Sequence, residues 1–263
     1  MIFCPLFSGS SGNSIFVSST NTKILIDAGM PGKSIDSALK EIGESGAELD
    51  GIFVTHEHSD HTKGIGILSR KYDIPIYANE LTWKSMVGSI GKIKEENIKI
   101  ICKDYVTVKD MEIKSFVIPH DAVAPRGYVV LAEGKKACVV TDLGYFTDEI
   151  RDAIIDGDII LLEANHDVEM LKVGPYPYPL KKRILSDVGH LSNEACGQAI
   201  VSIQTGKQKK IILGHLSQTN NQPDLAYQTV LNILNENYVN LQREISIHMA
   251  KRNMPSNYTK VVQ

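Results

Sequence analysis

A histidine cluster that follows an apolar segment constrains this chain more than any other feature. Residues 51–55 are predicted to form a short buried strand that runs into a polar loop. Four potential metal ligands lie within six residues of that loop: His56, His58, Asp60 and His61. Side chains alternate along an extended chain, so His56 and His58 point to the same side and can reach one cation. Asp60 and His61 follow where the chain turns, and they can reach a second cation nearby.

The chemistry of the ligands indicates the kind of metal. Imidazole and carboxylate groups suit zinc, manganese or iron. Two such ions about 3.5–4 Å apart are a recurring device for hydrolysis. We therefore expect two divalent ions, with zinc as the first expectation and manganese or iron as alternatives. The competing interpretation, a solvated polar loop, accounts poorly for three of the eight histidines falling in one loop.

Three more polar residues follow predicted strands: His120, Asp142 and His215. Taken singly, each is an ordinary turn or structural residue. Loops at strand ends on one edge of a rigid scaffold are nevertheless where ligands from distant parts of a chain can converge.

The order of predicted elements indicates an α+β fold. The predicted strands are residues 2–7, 14–18, 23–27, 51–55, 74–78, 98–101, 111–118, 127–132, 136–141, 159–162, 210–213 and 244–248. The predicted helices are residues 34–42, 62–72, 80–87, 180–186, 193–204 and 223–236. Strands cluster in both halves with helices between and after them, which favours two sheets packed face to face with helices outside. The chain shows no linker or short repeat, so we predict one domain over residues 1–263.

These motifs together resemble those of the metallo-β-lactamase superfamily. The resemblance implies a four-layer αββα sandwich with the metals at one edge between the sheets. It implies that His120 completes the first metal site, that His215 closes the second, and that Asp142 bridges both metals. Asp27, in the segment 25–29, matches the superfamily's first motif, where the aspartate supports the histidine loop without binding metal.

A further histidine bears on the reaction. His190 lies just before a predicted helix, with Ser192 as a candidate N-cap. Phosphodiesterase branches of the superfamily carry a histidine at this place that binds phosphate or protonates the leaving oxygen. The alternative is a histidine that anchors its loop through hydrogen bonds. The resemblance further implies a hydroxide between the two metals, and Asp60 is our candidate for orienting it.

Three segments, residues 7–14, 162–167 and 174–183, resemble a narrower group, the YycJ/WalJ-type proteins of Gram-positive bacteria. The resemblance implies a metal-dependent phosphodiesterase, a 5′→3′ DNA exonuclease, with DNA favoured over RNA as substrate. His166, within the second segment, is expected to support the metal ligands. The expected substrate-binding residues are Ser8, Ser10, Asn13, Lys181, Lys182 and Arg183. A hairpin turn and a solvated basic helix start are the plainer interpretations of these two groups.

Rival functions remain at this point. The main one is a small-molecule hydrolase of the same fold, acting on a cyclic phosphodiester, a lactone or a thioester. A flavodiiron-type oxidoreductase is disfavoured because that branch typically has Glu where this chain has His58. A non-catalytic binding module is disfavoured because all seven expected ligands are present.

Bulk properties add little about partners. The net charge of −3 gives no global attraction to a polyanion, so any nucleic-acid affinity has to come from a local patch. No apolar run reaches the length of a membrane span, and the four cysteines form no C-x-x-C pair. We expect a cytoplasmic protein that does not enter a membrane; the pattern does not indicate an oligomeric state.

Overall fold

Two seven-stranded sheets form the centre of the molecule. The computed structural model describes residues 1–103, 105–241 and 243–261. The first sheet has the order β14-β1-β2-β3-β4-β5-β6, with strands Thr259–Lys260, Ile2–Phe7, Ser14–Ser18, Lys23–Ile26, Gly51–Phe53, Ile76–Ala78 and Ile98–Ile100. The second has the order β13-β12-β11-β10-β9-β8-β7, with strands Ile245–Met249, Lys209–Gly214, Ile159–Glu163, Lys135–Val140, Arg126–Ala132, Met111–Val117 and Tyr105–Val108.

Each sheet contains an antiparallel part and a parallel part. In the first sheet β1 to β3 form an antiparallel meander, whereas β3 to β6 are parallel. In the second sheet β7 to β10 are antiparallel and β10 to β13 are parallel. Helical crossovers join the parallel neighbours, because the chain has to return to the starting end of the sheet before the next parallel strand begins. The helices are α1 (Gly32–Glu41), α2 (Ser59–Thr62), α3 (Ile65–Tyr72), α4 (Glu80–Ile90), α5 (Asp148–Ile154), α6 (Val168–Val173), α7 (Tyr178–Ile184), α8 (Asn193–Ser202) and α9 (Pro223–Glu236).

The buried side chains form three layers of core. One cluster lies between the sheets and includes Phe3 and Phe53 from the first sheet with Tyr128 and Leu161 from the second. A second cluster joins the outer face of the first sheet to α1, α3 and α4, and a third joins the outer face of the second sheet to α5, α8 and α9. This is the αββα sandwich expected from the sequence, so the predicted fold class is confirmed.

The structure departs from the predicted elements at several places. Two strands, β7 and β14, two α-helices, α5 and α6, and the 3₁₀ helices Gly46–Glu48 and Glu95–Asn97 were not predicted, and the predicted helix 62–72 is divided into α2 and α3. Thr147 caps α5 by accepting a hydrogen bond from the Ile150 amide, a local signal that could have predicted this helix. The two-residue strand β14 has no such signal, because it exists only through pairing with β1.

Two further observations concern the helices and the cysteines. Within the described parts of the chain, no helix has both the length and the apolar character that crossing a membrane requires. All four cysteines are free thiols, and three of them, Cys4, Cys138 and Cys196, are buried.

Candidate metal centre

The candidate ligands and the supporting residue Asp27 lie at the ends of strands. Asp27 follows β3, and His56 follows β4 after Val54 and Thr55; in the second sheet Asp142 follows β10 and His215 follows β12. The carboxyl ends of parallel strands meet at one edge of a sheet. The two packed sheets therefore bring these residues together from opposite sides of one cleft.

The structure groups the seven expected ligands into two triads and a shared carboxylate. Ligand atoms of His56, His58 and His120 all lie within 4.8 Å of one another, and so do those of Asp60, His61 and His215. Asp142 lies between the triads. Its Oδ2 is 3.1 Å from His61 Nε2, and its Oδ1 is 3.8 Å from His120 Nε2. This is the arrangement that the sequence motifs imply for two metals with one bridging carboxylate.

Buried polar atoms without partners indicate that the cluster is built to hold cations. His215 and Asp142 are about 1% and 2% exposed. Within the described residues, His215 Nε2 has no hydrogen-bond partner, and the near neighbour of Asp142 Oδ2 is the ligand nitrogen His61 Nε2. Leaving such atoms unsatisfied in the interior costs about 1–3 kcal/mol each, a cost that a bound metal ion would remove. The residues present therefore fit a pair of divalent ions.

The charges in the cluster shift the pKa of its members in opposite directions. Burial raises the pKa of Asp142, but His215 and His61 outweigh burial and hold this pKa well below its usual value. Burial lowers the pKa of His56, and the neighbouring His61 lowers it further. Burial lowers the pKa of His61, but Asp142, Asp27 and Asp60 outweigh burial and raise it well above its usual value. Metal binding requires ionised carboxylates and neutral imidazoles, so His61 would release a proton on binding.

Three of the strand-end residues adopt a backbone conformation that is rare for their type. Asp27, Asp142 and His215 have φ of 61°, 62° and 54°. Left-handed backbone at a residue other than glycine costs roughly 1 kcal/mol, and it persists where the surrounding structure imposes it. Here it turns each side chain out of its strand and toward the cleft.

Asp27 supports the histidine loop through hydrogen bonds to Thr55 and His61. Its carboxylate accepts hydrogen bonds from the Thr55 amide (2.9 Å) and the Thr55 hydroxyl (2.8 Å). Its Oδ2 also lies 2.7 Å from His61 Nδ1, so that nitrogen donates and Nε2 faces the cluster. A carboxylate behind a ligating histidine sets both its tautomer and its orientation.

Glu163 has an equivalent role in the second sheet and was not among the predicted residues. It ends β11 and is fully buried. Its Oε1 accepts from His215 Nδ1 at 2.6 Å and from His190 Nδ1 at 2.9 Å. Its Oε2 accepts from the Leu143 amide at 2.9 Å. The sequence signal was an acidic residue at the end of an apolar strand, the same signal that Asp27 and Asp142 carry.

His190 lies at the edge of the cluster. Its ring centroid is 5.2 Å from that of His120 and 5.4 Å from that of His215. Burial lowers the pKa of His190, but the Glu163 carboxylate outweighs burial and raises this pKa to about 9. The side chain is 19% exposed, so it can meet a molecule in the cleft.

His166 is placed differently from the expectation that it supports the ligands directly. Its ring is buried, and neither ring nitrogen hydrogen-bonds to any described residue. Burial lowers its pKa to about 4. The backbone of His166 accepts a hydrogen bond from the Asn193 amide, which ties this segment to the start of α8.

The serine-rich turn after β1 is largely internal, so the expected substrate contacts of Ser8 and Asn13 are not what the structure favours. Ser8 is 3% exposed, and its hydroxyl accepts a hydrogen bond from the His215 amide at 2.9 Å. Asn13 is 1% exposed; its Oδ1 accepts from the Gly9 amide, and its Nδ2 is 3.1 Å from His61 Nε2. Both residues position metal-centre loops. Ser10 alone of the three is exposed to solvent.

Of the three basic residues of α7, Arg183 lies beside the cluster, and not all three are free. Arg183 forms an ion pair with Asp121, which directly follows His120. The Lys181 ammonium donates to the Lys172 carbonyl, and Lys182 is exposed. At the start of the helix Tyr178 is 78% exposed.

Comparison with known proteins agrees with this geometry. The sequence model of the metallo-beta-lactamase superfamily matches residues 8–215, which contain all seven candidate ligands. The chain belongs to the metallo-β-lactamase superfamily. It is 41% identical over 255 residues to exodeoxyribonuclease YycJ of Bacillus anthracis, covering 97% of each chain. It is 46% identical over 232 residues to exodeoxyribonuclease WalJ of Streptococcus pneumoniae, covering 87% of this chain and 86% of that one.

These matches confirm the resemblance to the YycJ/WalJ-type group within the superfamily. A crystal structure of yeast PDE1 superposes with a TM-score of 0.71 over 97% of this chain and 99% of the other, at 12% identity, which supports the fold alone. As a member of the metallo-β-lactamase superfamily with its ligand set in place, the protein is a metal-dependent hydrolase.

Proposed function

We propose that this protein is a metal-dependent DNA exonuclease that cleaves phosphodiester bonds in the 5′→3′ direction. The proposal rests chiefly on the combination of the two triads with His190 at their edge. Relatives of 41% and 46% identity over most of the chain are named exodeoxyribonucleases, which supports DNA as the substrate. The two triads around Asp142 are the proposed metal sites, with His56, His58 and His120 in one and Asp60, His61 and His215 in the other.

The residues divide the work of hydrolysis among them. Two divalent ions, when bound, supply a nucleophile at neutral pH and positive charge for the phosphate. Asp60, whose carboxylate is partly exposed at the cluster, orients the attacking group. The carboxylate of Glu163 favours the charged form of His190, which makes this residue our candidate proton donor. That proton can pass to the leaving oxygen, which otherwise departs as an alkoxide.

The surroundings of the cluster suit a nucleic-acid strand. Arg183 carries a positive charge beside the cleft through its ion pair with Asp121. Lys182 and Tyr178 of the same helix are exposed, and the Tyr178 ring offers a surface on which a base can stack. Ser10 adds an exposed hydroxyl on the neighbouring turn. Ser8 and Asn13 do not contact the strand; they position His215 and His61 through hydrogen bonds.

The proposal is tested with DNA labelled at either end. Protein loaded with Mn²⁺ or Zn²⁺ is assayed on duplex and single-stranded DNA, RNA and bis-p-nitrophenyl phosphate, beside His58→Ala and His190→Ala. We expect label at the 5′ end to be released first and His58→Ala to abolish cleavage. Hydrolysis of a lactone, thioester or cyclic phosphodiester with none of DNA would contradict the proposal.

The His190 variant tests the proton donor separately. General acid catalysis contributes roughly 10²–10⁴-fold, so His190→Ala should lose that much turnover on DNA. The loss should be smaller on bis-p-nitrophenyl phosphate, whose leaving group departs readily without a proton. Full turnover of His190→Ala on DNA would assign this residue to loop anchoring instead.

A further inference from the structure

A cavity lined with lysines lies at the end of the second sheet opposite to the candidate metal centre. Its volume is about 380 Å³, and it is found where the parallel strands β10 to β13 begin. The metal ligands follow the other ends of the same strands. At about 3.3 Å per residue, a strand such as β10 separates the two places by roughly 20 Å. The lining lysines are Lys135, Lys207, Lys209, Lys210 and Lys260.

One of these lysines occupies a position that normally takes an apolar side chain. Lys210 pairs in register with Ile159 of β11 and Ser246 of β13, so these three side chains share one face. Ile159 and Ile212, the latter two residues further along β12, belong to the core between the sheets. A lysine that ends a row of residues facing the core costs free energy of folding unless a negative charge compensates its ammonium group.

The described residues supply too little negative charge to compensate the cavity. Asp158 is the one carboxylate in the lining, and its Oδ1 is shared between Lys135 (3.3 Å) and Lys207 (3.1 Å). Neither Lys210 nor Lys260 has a described carboxylate oxygen within 4.0 Å. Because the whole chain carries a net charge of −3, this excess of cations is local to the cavity.

A further lysine in the lining is cut off from water. Lys209 is about 1% exposed, and its ammonium donates to the Thr205 hydroxyl at 2.6 Å without a described carboxylate in reach. Burial lowers the pKa of this ammonium, and Asp156, Asp158 and Glu244 act on it only from beyond ion-pair distance. The cavity thus combines a volume of about 380 Å³, the ammonium groups of Lys210 and Lys260, which form no ion pair with a described residue, and the Ser246 hydroxyl on the same face of the sheet as Lys210.

We propose that this cavity is a second binding site, which takes the phosphate group of a nucleotide. The ammonium groups of Lys210 and Lys260 and the hydroxyl of Ser246 are its donors, since charge-assisted hydrogen bonds from lysine to phosphate are strong. Its volume lies in the range of small-ligand pockets, about 300–1,000 Å³. A free nucleotide and a phosphate within a strand present the same group. The site does not depend on the activity proposed for the metal centre.

Binding is measured by calorimetric titration with thymidine 5′-monophosphate, thymidine and a short oligothymidylate. The protein is compared with Lys210→Gln/Lys260→Gln and with a control, Lys84→Gln, whose lysine is exposed on α4 beside Glu80. Metal-free and metal-loaded samples separate this site from the metal centre. We expect the double variant to weaken binding of the monophosphate about tenfold or more, with Lys84→Gln unchanged and thymidine not bound.

The outcomes either show which molecule supplies the phosphate or contradict the proposed binding site. Binding of the monophosphate supports a free nucleotide, and binding of the oligothymidylate alone supports a strand. Equal affinities in the wild type and the double variant would overturn the proposal, and so would an equal loss in Lys84→Gln, which would indicate unspecific charge attraction. If Lys210→Gln impairs folding, the exposed Lys260→Gln alone decides between these outcomes.

A second measurement locates the ligand directly. Acetylation of lysines, read by mass spectrometry, should slow at Lys210 and Lys260 when the monophosphate is bound and stay constant at Lys84. Turnover of bis-p-nitrophenyl phosphate should be the same in the double variant as in the wild type, because the two sites are far apart. Protection at neither lysine, with binding intact, would place the ligand elsewhere and refute the proposal.

Discussion

At the scale of single residues, two buried carboxylates hold the histidines of the candidate centre. Asp27 accepts from His61, and Glu163 accepts from both His215 and His190. Each carboxylate ends or follows a core strand and faces the back of a ring whose other nitrogen faces the cluster. The same device thus occurs once in each sheet.

Removing the charge of Glu163 should weaken the centre without removing a proposed ligand. Glu163→Gln keeps the shape but places an amide N–H where the Leu143 amide or a histidine now donates. Loss of such a supporting carboxylate typically costs 10–100-fold in metal affinity. We expect a fall of that size in a competition titration with a chelator, together with reduced turnover. Glu169→Gln, on the exposed face of α6, is the control and should change neither.

His166 should make stability depend on pH in a defined window. Its folded pKa of about 4 lies below the unfolded value near 6.5, because the neutral ring is buried. The unfolded chain therefore binds a proton first as the pH falls, so stability is lost between pH 6.5 and pH 4, by at most about 3 kcal/mol. Urea denaturation of metal-free protein should show a smaller loss over this window in His166→Leu. Parallel curves for variant and wild type would rule the effect out.

At the scale of elements, close backbone contacts lock the loops that carry the ligands. A Cβ atom added to Gly29 would lie 1.6 Å from the Asp60 carbonyl oxygen, and one added to Gly144 would lie 2.2 Å from the Asp187 backbone. The first contact joins the loops after β3 and β4. The second joins the Asp142 loop to the segment before His190.

Replacing Gly29 with alanine should therefore open the metal centre. The clash is with backbone, so the Asp60 loop has to move, and overpacking of this kind costs about 1–3 kcal/mol. Thermal unfolding should shift down and metal affinity should fall together. The control is Gly88→Ala in α4, where an added Cβ meets nothing within 4 Å. That change should be neutral or stabilise by up to about 1 kcal/mol, since alanine favours helix.

At the scale of the whole molecule, the centre joins the two sheets. His56, His58, Asp60 and His61 come from the first sheet, and His120, Asp142 and His215 come from the second. Two ions held between these sets would link the halves of the sandwich. A ligand that binds only the folded state stabilises it in proportion to the logarithm of its concentration over its Kd.

Metal removal should therefore lower the stability of the entire sandwich. At a metal concentration about 100 times the Kd, the loss on chelation is roughly 2.7 kcal/mol. Scanning calorimetry with and without EDTA should show a lower Tm after chelation, restored by Zn²⁺ or Mn²⁺. The one-domain prediction for residues 1–263 is tested in the same scan by a single transition. His58→Ala should show a smaller metal-dependent shift, and an equal shift would place the stabilising metal elsewhere.

Four of the candidate ligands, His56, His58, Asp60 and His61, could be predicted from the sequence because they form one cluster after a strand. His120, Asp142 and His215 were assigned through the resemblance to the superfamily. A strand-forming run followed by His or Asp is visible in the chain at His56, His120, Asp142 and His215, and the fold class follows from the order of strands and helices. Glu163 carries a weaker signal of the same kind. Its importance depends on His190 and His215, which reach it from two other loops.

The sequence by itself determined which side chains could bind metal and at which strand ends they lie, because ligand chemistry and strand periodicity are local properties. Only the tertiary structure decided that Glu163 joins His190 to His215, that Ser8 and Asn13 face inward, and that five lysines meet at the far end of the second sheet. These facts depend on how the two sheets pack and on strand register across long stretches of chain. Lys210 is the clearest example of a residue whose surroundings depend on tertiary structure, because no local sequence pattern predicts the cavity that it shares with four other lysines.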